Sequence, residues 1–311
     1  MEQRLHVIFG TGPLGRSVME ALTARGERVR MVNRSGRMAA APGTEVVAAD
    51  LRSTDDAVRA AAGATHIYQC ANPPYHQWQE LFPALQRAVV HAAVTVKARF
   101  ISAENLYMYG DVHGTPITET TPYDAQTKKG KVRAAMANEL NELHRTGVLQ
   151  IVTGRGSDFF GPFVLDSMMG ERQFGAAVNG KAVSLLGDID APHSLTYIKD
   201  FGAALATLAM TDSAYGRAWH VPNAPAVSQR EFVRLLFRAL GTPEKLSVMG
   251  KTMLRIGGLF IPAAREVVEM YYEFEKPFLV DSSEFERAFG VQATPLEESI
   301  RQTVEWYRST L

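Results

Sequence analysis

One cysteine, Cys70, stands in 311 residues, so no internal disulfide framework braces the fold. Charge of one sign is also missing: 33 Lys and Arg face 33 Asp and Glu, and the pI is near 7.1. With no net field, general attraction to nucleic acid or anionic lipid is excluded. No apolar run approaches the roughly 18 residues of a membrane span, and "IGGLFIPAA" (256–264) is short and broken by Gly and Pro. No signal-peptide pattern precedes the strand-like "LHVIF", so a cytoplasmic location is expected. Repeats and low-complexity tracts are lacking, and no His pair has metal-ligand spacing, so no metal is expected.

What is present is a 46% hydrophobic chain, enough for one large domain or a core domain with a smaller lobe. Apolar runs, "LHVIF", "RVRMV", "TEVVAAD", "THIYQCA", "ARFISA" and "LQIVTGR", alternate with segments of helical composition near 54–63, 77–94 and 125–147. Such alternation predicts an α/β fold, a Rossmann-type doubly wound parallel sheet. After Gly156 the regularity breaks, which predicts a smaller C-terminal substrate lobe. The expected division is 1–155 plus about 190–222 for the dinucleotide-binding domain, and about 156–189 with 223–311 for the lobe. "VSQREFVRLLFRALG" (227–241) reads as a helix in it, and "DSSEFERAFG" as a helix capped by Asp281 or Ser282 and stopped by Gly290. The dense apolar cluster in "VVEMYYEFEKPF" (267–278) is either lobe core or the wall for an apolar substrate.

The strongest motif is "VIFGTGPLGRSV", with Gly10, Gly12 and Gly15 as G-x-G-x-x-G between the first strand and first helix. Gly10 permits the tight turn, Gly12 lets backbone approach a pyrophosphate, and Gly15 allows close helix packing. The free N–H groups of the helix start attract the phosphates, and Pro13 needs no partner there. Thr11 and Leu14 complete the loop. At the end of the second strand, "RMVNRSGR" has Asn33 where NAD binding wants a carboxylate for the ribose hydroxyls. Arg34, Ser35 and Arg37 can instead clasp a 2′-phosphate, so NADP(H) is expected over NAD(H). Asp50 either borders the adenine, with Leu51, or serves as a helix N-terminal acid. Ala71 and Asn72, after the fourth strand, complete the expected cofactor contacts.

On "GTGPLG", "AADL", "FISAENLYMYG" followed by "PITETTPYD", "GRGSDFFGP" and "HSLTYIKDFGAAL", nearly the whole chain resembles the extended branch of the short-chain dehydrogenase/reductase superfamily, the NAD(P)-dependent epimerases, dehydratases and reductases. The resemblance implies a Tyr-x-x-x-Lys pair and an upstream Ser or Thr that polarises a carbonyl. Here Lys131 is present, Thr127 holds the tyrosine position and Asn105 the serine position. An aliphatic hydroxyl is a far weaker acid than a phenol, so Thr127 cannot replace it in proton transfer, whereas the Asn105 amide can donate to a carbonyl. This pattern is similar to an atypical subgroup lacking the tyrosine. Lys131 then either reaches the nicotinamide ribose or faces solvent.

Substitute proton donors are tyrosines near the strand ends: Tyr107, Tyr109, Tyr123 and Tyr75, the last beside His76. By resemblance Arg155 lines the nicotinamide, and Pro73, Tyr75, Ser157, Phe159 and His193 border the substrate. His193 stands where many extended members carry an arginine for a nucleotide-sugar phosphate, and is either a binding group or a structural histidine. Three functions follow: an NADP(H)-dependent oxidoreductase or epimerase on a small uncharged carbonyl or alcohol, a catalytically inactive redox sensor with a protein partner, or a nucleotide-sugar epimerase/dehydratase. The resemblance also implies a homodimer through the helices after the fourth and fifth strands.

Overall fold

The computed structural model describes residues 4–250 and 268–310; the "IGGLFIPAA" segment and Val267 lie outside them. Six of the apolar runs form parallel strands: β1 (Leu5–Phe9), β2 (Arg28–Asn33), β3 (Glu45–Ala48), β4 (His66–Gln69), β5 (Arg99–Glu104) and β6 (Ile151–Arg155). A seventh, β11 (Ala218–His220, eleventh in the chain), returns to pair in parallel with β6. The order β11-β6-β5-β4-β1-β2-β3 reverses at β1, which puts a crevice between the carboxyl ends of β1 and β4.

Strand period sorts side chains to two faces. Val7, Phe9, Ile67 and Phe100 pack on α2 (Thr54–Ala60), α3 (Trp78–Val96) and α4 (Lys128–Arg145). Ile8, Tyr68, Ile101 and Val152 pack on α1 (Pro13–Thr23) and α6 (Ile198–Met210). α1 and α6 touch closely because Gly202 has no side chain: a Cβ there would stand 2.5 Å from the Ser17 backbone. The result is a three-layer sandwich with all loops of interest at one edge.

The remaining chain builds the smaller packing unit. Short strands pair as β7 (Asp158–Phe160) with β10 (Leu195–Tyr197), β8 (Val183–Leu186) with β13 (Leu246–Met249), and β9 (Pro192–His193) with β12 (Val227–Ser228). Its core joins α5 (Phe174–Val178), α7 (Gln229–Leu240) and α9 (Leu296–Thr310) through Phe174, Phe232, Leu236, Ile300 and Tyr307. The helix expected in "DSSEFERAFG" is α8 (Ser283–Phe289), with Gly290 in the left-handed conformation at its end. Met270, Tyr271, Phe274 and Phe278 are buried. Among the described residues no helix is long and apolar enough to cross a membrane, and no group of side chains could hold a metal.

Candidate functional site

The glycine loop has the shape its sequence implies, and the three glycines answer to different constraints. Gly10 has φ 111°, and a Cβ on it would lie 2.6 Å from the Ala71 nitrogen, so the β1 and β4 exits abut. A Cβ on Gly15 would stand 2.0 Å from the Gly10 carbonyl oxygen. Gly12 meets nothing within 4 Å and is exposed, with extended backbone at the N-cap of α1. Fold therefore explains Gly10 and Gly15, whereas the bare backbone at Gly12 faces open space at a helix N-terminus, which suits a pyrophosphate. Pro13 is the first residue of α1, and Leu14 packs toward the core.

At the end of β2, Asn33 is consumed in shaping the turn. Its Nδ2 donates to Thr11 Oγ1 (3.1 Å) and the Arg37 carbonyl (3.0 Å), and its Oδ1 accepts from the Ser35 and Gly36 amides. The side chains of Arg34, Ser35 and Arg37 are exposed around that turn. Asp50 is held by bidentate hydrogen bonds from Arg52, which lower its carboxyl to about 2, with Arg34 adding a smaller pull. Its backbone N–H donates to Asp56, while Ser53 caps α2, so the helix-acid alternative for Asp50 itself is not what is seen. Leu51 packs against the core, and Asn72 is exposed after β4.

The helix after β5 departs from the expected register. Thr127 is the N-cap of α4, its hydroxyl accepting from the Gly130 amide at 3.1 Å, so the helix begins at Lys128 and not at Ala125. Lys131 is exposed and lines the outer groove against α3 with Gln79, Pro83 and Met136. Buried positions are Lys129, Gly130, Arg133, Met136, Ala137 and Leu140. With 100° per residue, Lys131 points about 200° away from both Lys129 and Arg133. The inward cation pair is thus Lys129-x-x-x-Arg133, while Lys131 takes the solvent-facing alternative and Thr127 uses its hydroxyl to cap the helix. The signal was in the sequence: counting back from Leu140 and Met136 by helical steps reaches Arg133 and Lys129.

Tyr109 and Arg155 are also displaced from their expected roles, into the interior. Arg155 Nε donates to Glu104 (3.0 Å), Nη1 to the Tyr109 hydroxyl (2.6 Å) and Nη2 to the Tyr123 hydroxyl. The Tyr109 hydroxyl meets His220 Nε2 at 2.9 Å, and His220 Nδ1 donates to the Asp281 carbonyl. Burial opposes the Arg155 charge, but Glu104 and the phenols outweigh it and hold the guanidinium above its ordinary range. Burial pushes the Tyr109 phenol up to about 12. At 1% exposure each, both side chains tie β5, β6 and β11 together in the interior. Arg133 adds a second buried cation 3.6 Å from Glu104, with Nε and Nη2 lacking hydrogen-bond partners.

The loops leaving β4, β5 and β6 bring a polar cluster to the ligand-binding edge. Tyr75 follows β4 and donates to the Tyr107 hydroxyl, after β5, at 3.2 Å. Lys129 Nζ lies 4.5 Å from the Tyr75 ring centre and pairs with Glu269 at 2.8 Å. From β7, Asp158 hydrogen-bonds His193 Nε2 at 2.9 Å, and His193 is stacked between Phe274 and Phe278, 5.2 and 5.1 Å away. Burial raises Tyr75, Tyr107 and Tyr272, and nearby Glu273 and Asp158 add to each shift. Asn105 is half-buried, and its Oδ1 has no partner. Phe159 is half-buried, and the Pro73 carbonyl accepts from Trp78. Ser157 serves the structure: its N–H donates to Thr196 and its hydroxyl to the Ser194 carbonyl. Sequence reasoning missed Lys129, Asp158, Glu269 and Glu273. Asp158 lay inside the quoted "GRGSDFFGP", while nothing local marked the two glutamates.

Comparisons with known proteins agree with this architecture. The dTDP-glucose 4,6-dehydratase of Xanthomonas campestris pv. campestris is 23% identical over 218 residues, 67% of this chain and 57% of that protein. The 3beta-hydroxysteroid-dehydrogenase/decarboxylase isoform 2 of Arabidopsis thaliana is 24% identical over 88% of this chain and 52% of its own length. The chain thus spans about half the length of the curated relatives it matches. Among solved structures, DesIV, a dTDP-glucose 4,6-dehydratase from Streptomyces venezuelae with NAD and TYD bound, has TM-score 0.80 and 17% identity over 98% of this chain and 97% of that one. The UDP-glucose 4-epimerase of Thermus thermophilus in complex with NAD has TM-score 0.80 and 18% identity over 99% of this chain and all of that one. These likenesses show a shared fold. Because the family model covers residues 7–221, from β1 through β11, the chain belongs to the NAD dependent epimerase/dehydratase family.

Proposed function

We propose that the protein is an NADP(H)-dependent oxidoreductase or epimerase whose substrate presents a small, uncharged carbonyl or alcohol to the polar cluster. The observation that carries this reading is the charge around the cluster. Among the described residues it gathers Asp158, Glu269 and Glu273, and its one lysine, Lys129, is already paired with Glu269. A diphosphate there would meet the Asp158 carboxylate and a lysine already paired, instead of an arginine fork, at a cost that grows as water is excluded. An uncharged carbonyl meets no such opposition, and the amide of Asn105, half-buried just after β5, would hold its oxygen. A bound dinucleotide would supply hydride chemistry, held by the Gly12 backbone and the start of α1. Preference for NADP(H) is supported by Asn33, which brings no carboxylate and shapes a turn that leaves Arg34 and Arg37 exposed.

The names of the relatives favour a second reading, a nucleotide-sugar dehydratase or epimerase. The test is calorimetric titration with NADPH and NADH, then turnover assays with uncharged ketones and aldehydes alongside dTDP-glucose and UDP-glucose. Tighter NADPH binding with reduction of an uncharged carbonyl is expected. Conversion of either nucleotide sugar would overturn the substrate assignment, and tight NADPH binding with no turnover at all would replace the enzyme by a redox sensor.

A further inference from the structure

Outside the site already described, a cleft of about 530 Å³ opens where three segments meet: the connection from β11 to β12 (223–226), the run 279–283 with Glu286 of α8, and residues 292–295 ahead of α9. That volume is of the size that holds small molecules. No residue of the glycine loop, the β2 turn or the polar cluster lines it. The cleft and the cluster instead share a wall. In one segment of that wall His193 turns to Asp158 while its neighbour Ser194 lines the cleft, and in the other Phe278 stacks on His193 while Leu279 and Val280 line the cleft. The Ser194 N–H donates to the Phe278 carbonyl at 2.8 Å and the Val280 N–H to Ser194 Oγ at 2.9 Å, which holds the two segments together.

The hydrogen-bond donors of the lining are mostly spent: Asn223 Nδ2 donates to the Val221 carbonyl (3.0 Å), Ser282 Oγ to Glu286 Oε1 (3.2 Å) and Thr294 Oγ1 to Asp200 (2.6 Å). Acceptors remain. Asp281 gives one oxygen to the Ser283 amide and Glu286 one to Ser282, and among the described residues neither carboxylate is in an ion pair. No Lys, Arg or His lines the cleft, and Arg287, on the same helix as Glu286, donates to Ser283 Oγ at 2.9 Å. The apolar part of the wall is small-residue surface, Ala224, Ala226 and Ala293 with Pro225 and Pro295. We propose that this cleft is a second ligand site, which takes a small organic cation, a primary amine on a short aliphatic body. An ammonium brings three donors and no acceptor, which suits two carboxylates with an oxygen to spare. The aliphatic body covers the Ala and Pro surface. An anion of the same shape would face two like charges. The site uses no residue of the polar cluster, so it stands apart from the oxidoreductase reading.

The experiment follows the alanine methyl groups of the 311-residue chain by NMR, with Ala224, Ala226 and Ala293 identified by single substitution to Ser, during titration with n-butylamine, n-butanol and butyrate at constant pH and ionic strength. Saturable shifts of those three methyls with n-butylamine are expected at a Kd below about 10 mM, at least about fivefold tighter than n-butanol, with no response to butyrate. Combining Asp281→Asn with Glu286→Gln keeps an oxygen for Ser283 and Ser282 and should bring the amine down to the affinity of the alcohol. Ala226→Phe fills the cleft with both carboxylates in place, and should abolish the shifts at Ala224 and Ala293. No saturable shift with n-butylamine in wild type overturns the site, and equal affinities for amine and alcohol overturn the cation assignment, both without recourse to a variant. Amine affinity unchanged in the charge-free variant, or surviving Ala226→Phe, overturns the placement in this cleft.

Discussion

Substituting the glycines of the first loop one at a time separates the demands of folding from those of a ligand. In Gly15→Ala the new methyl would stand 2.0 Å from the Gly10 carbonyl oxygen and 3.0 Å from its carbon, so the start of α1 must move by about an ångström from the loop. In an open helix the same change would gain about 1 kcal/mol. Here overpacking costs about 1–3 kcal/mol, which lowers Tm by roughly 2–5 °C in a domain of this size. Gly12→Ala is the opposite case. Gly12 has φ −70° and ψ −174°, a conformation any residue adopts, and nothing lies within 4 Å of its Cβ position. Its Tm should match wild type or exceed it slightly, while a methyl in the path of the pyrophosphate should weaken NADPH binding at least tenfold, about 1.4 kcal/mol. Scanning calorimetry and NADPH fluorescence titration on both variants read the two effects. Gly12→Ala binding within twofold of wild type would refute the phosphate seat, and Gly15→Ala melting at the wild-type temperature would refute the close approach.

Three further outcomes are expected. Arg34→Asp should weaken NADPH at least tenfold while changing NADH less than threefold, because only the former carries the 2′-phosphate; equal losses would remove the basic turn from the cofactor site. His6, stacked on His66 at 4.7 Å, is held neutral by burial, its value lowered to about 3, and burial lowers His66 and His220 to about 4. Since the unfolded chain takes up these protons near pH 6.5, stability is complete above that pH and falls below it, by about 2 kcal/mol per histidine at pH 5. Urea denaturation at pH 7.5 and 5 measures this, and equal free energies at both would contradict it. Ala135→Glu, in the outer groove between α3 and α4, should dissociate the expected homodimer in light scattering, and an unchanged mass would exclude that interface.

Much of the fold was legible because its signals are local and repeated. All six sheet strands expected from apolar runs formed, and the glycine motif fell between β1 and α1. β11 was harder to see: "AWH" is three residues long and is a strand only through its pairing with β6. Helix boundaries shifted where a cap decided them, as Thr127 does for α4. Asn33 was read as a ligand residue and holds the turn with both ends of its amide, with the arginines beside it exposed.

The catalytic reading was less legible because spacing in a motif is not orientation on a helix. Lys131 follows Thr127 by four positions, as the resemblance asks, yet the apolar stripe that docks α4 on the sheet fixes its rotation and carries Lys129 and Arg133 inward. A close fit enforces that rotation: a Cβ on Gly130 would stand 2.6 Å from the Tyr107 carbonyl oxygen, so the first turn of α4 cannot roll by the roughly 200° that would present Lys131. Tyr109 failed as a donor for a related reason. Its hydroxyl accepts from Arg155 and donates to His220 Nε2, so its proton already has an acceptor inside the protein. Once both are removed from consideration, the groups left at the strand ends are Asn105, the tyrosines and the acids. Those acids come from segments far apart in sequence, Asp158 and Glu273, so only the folded chain could bring them together.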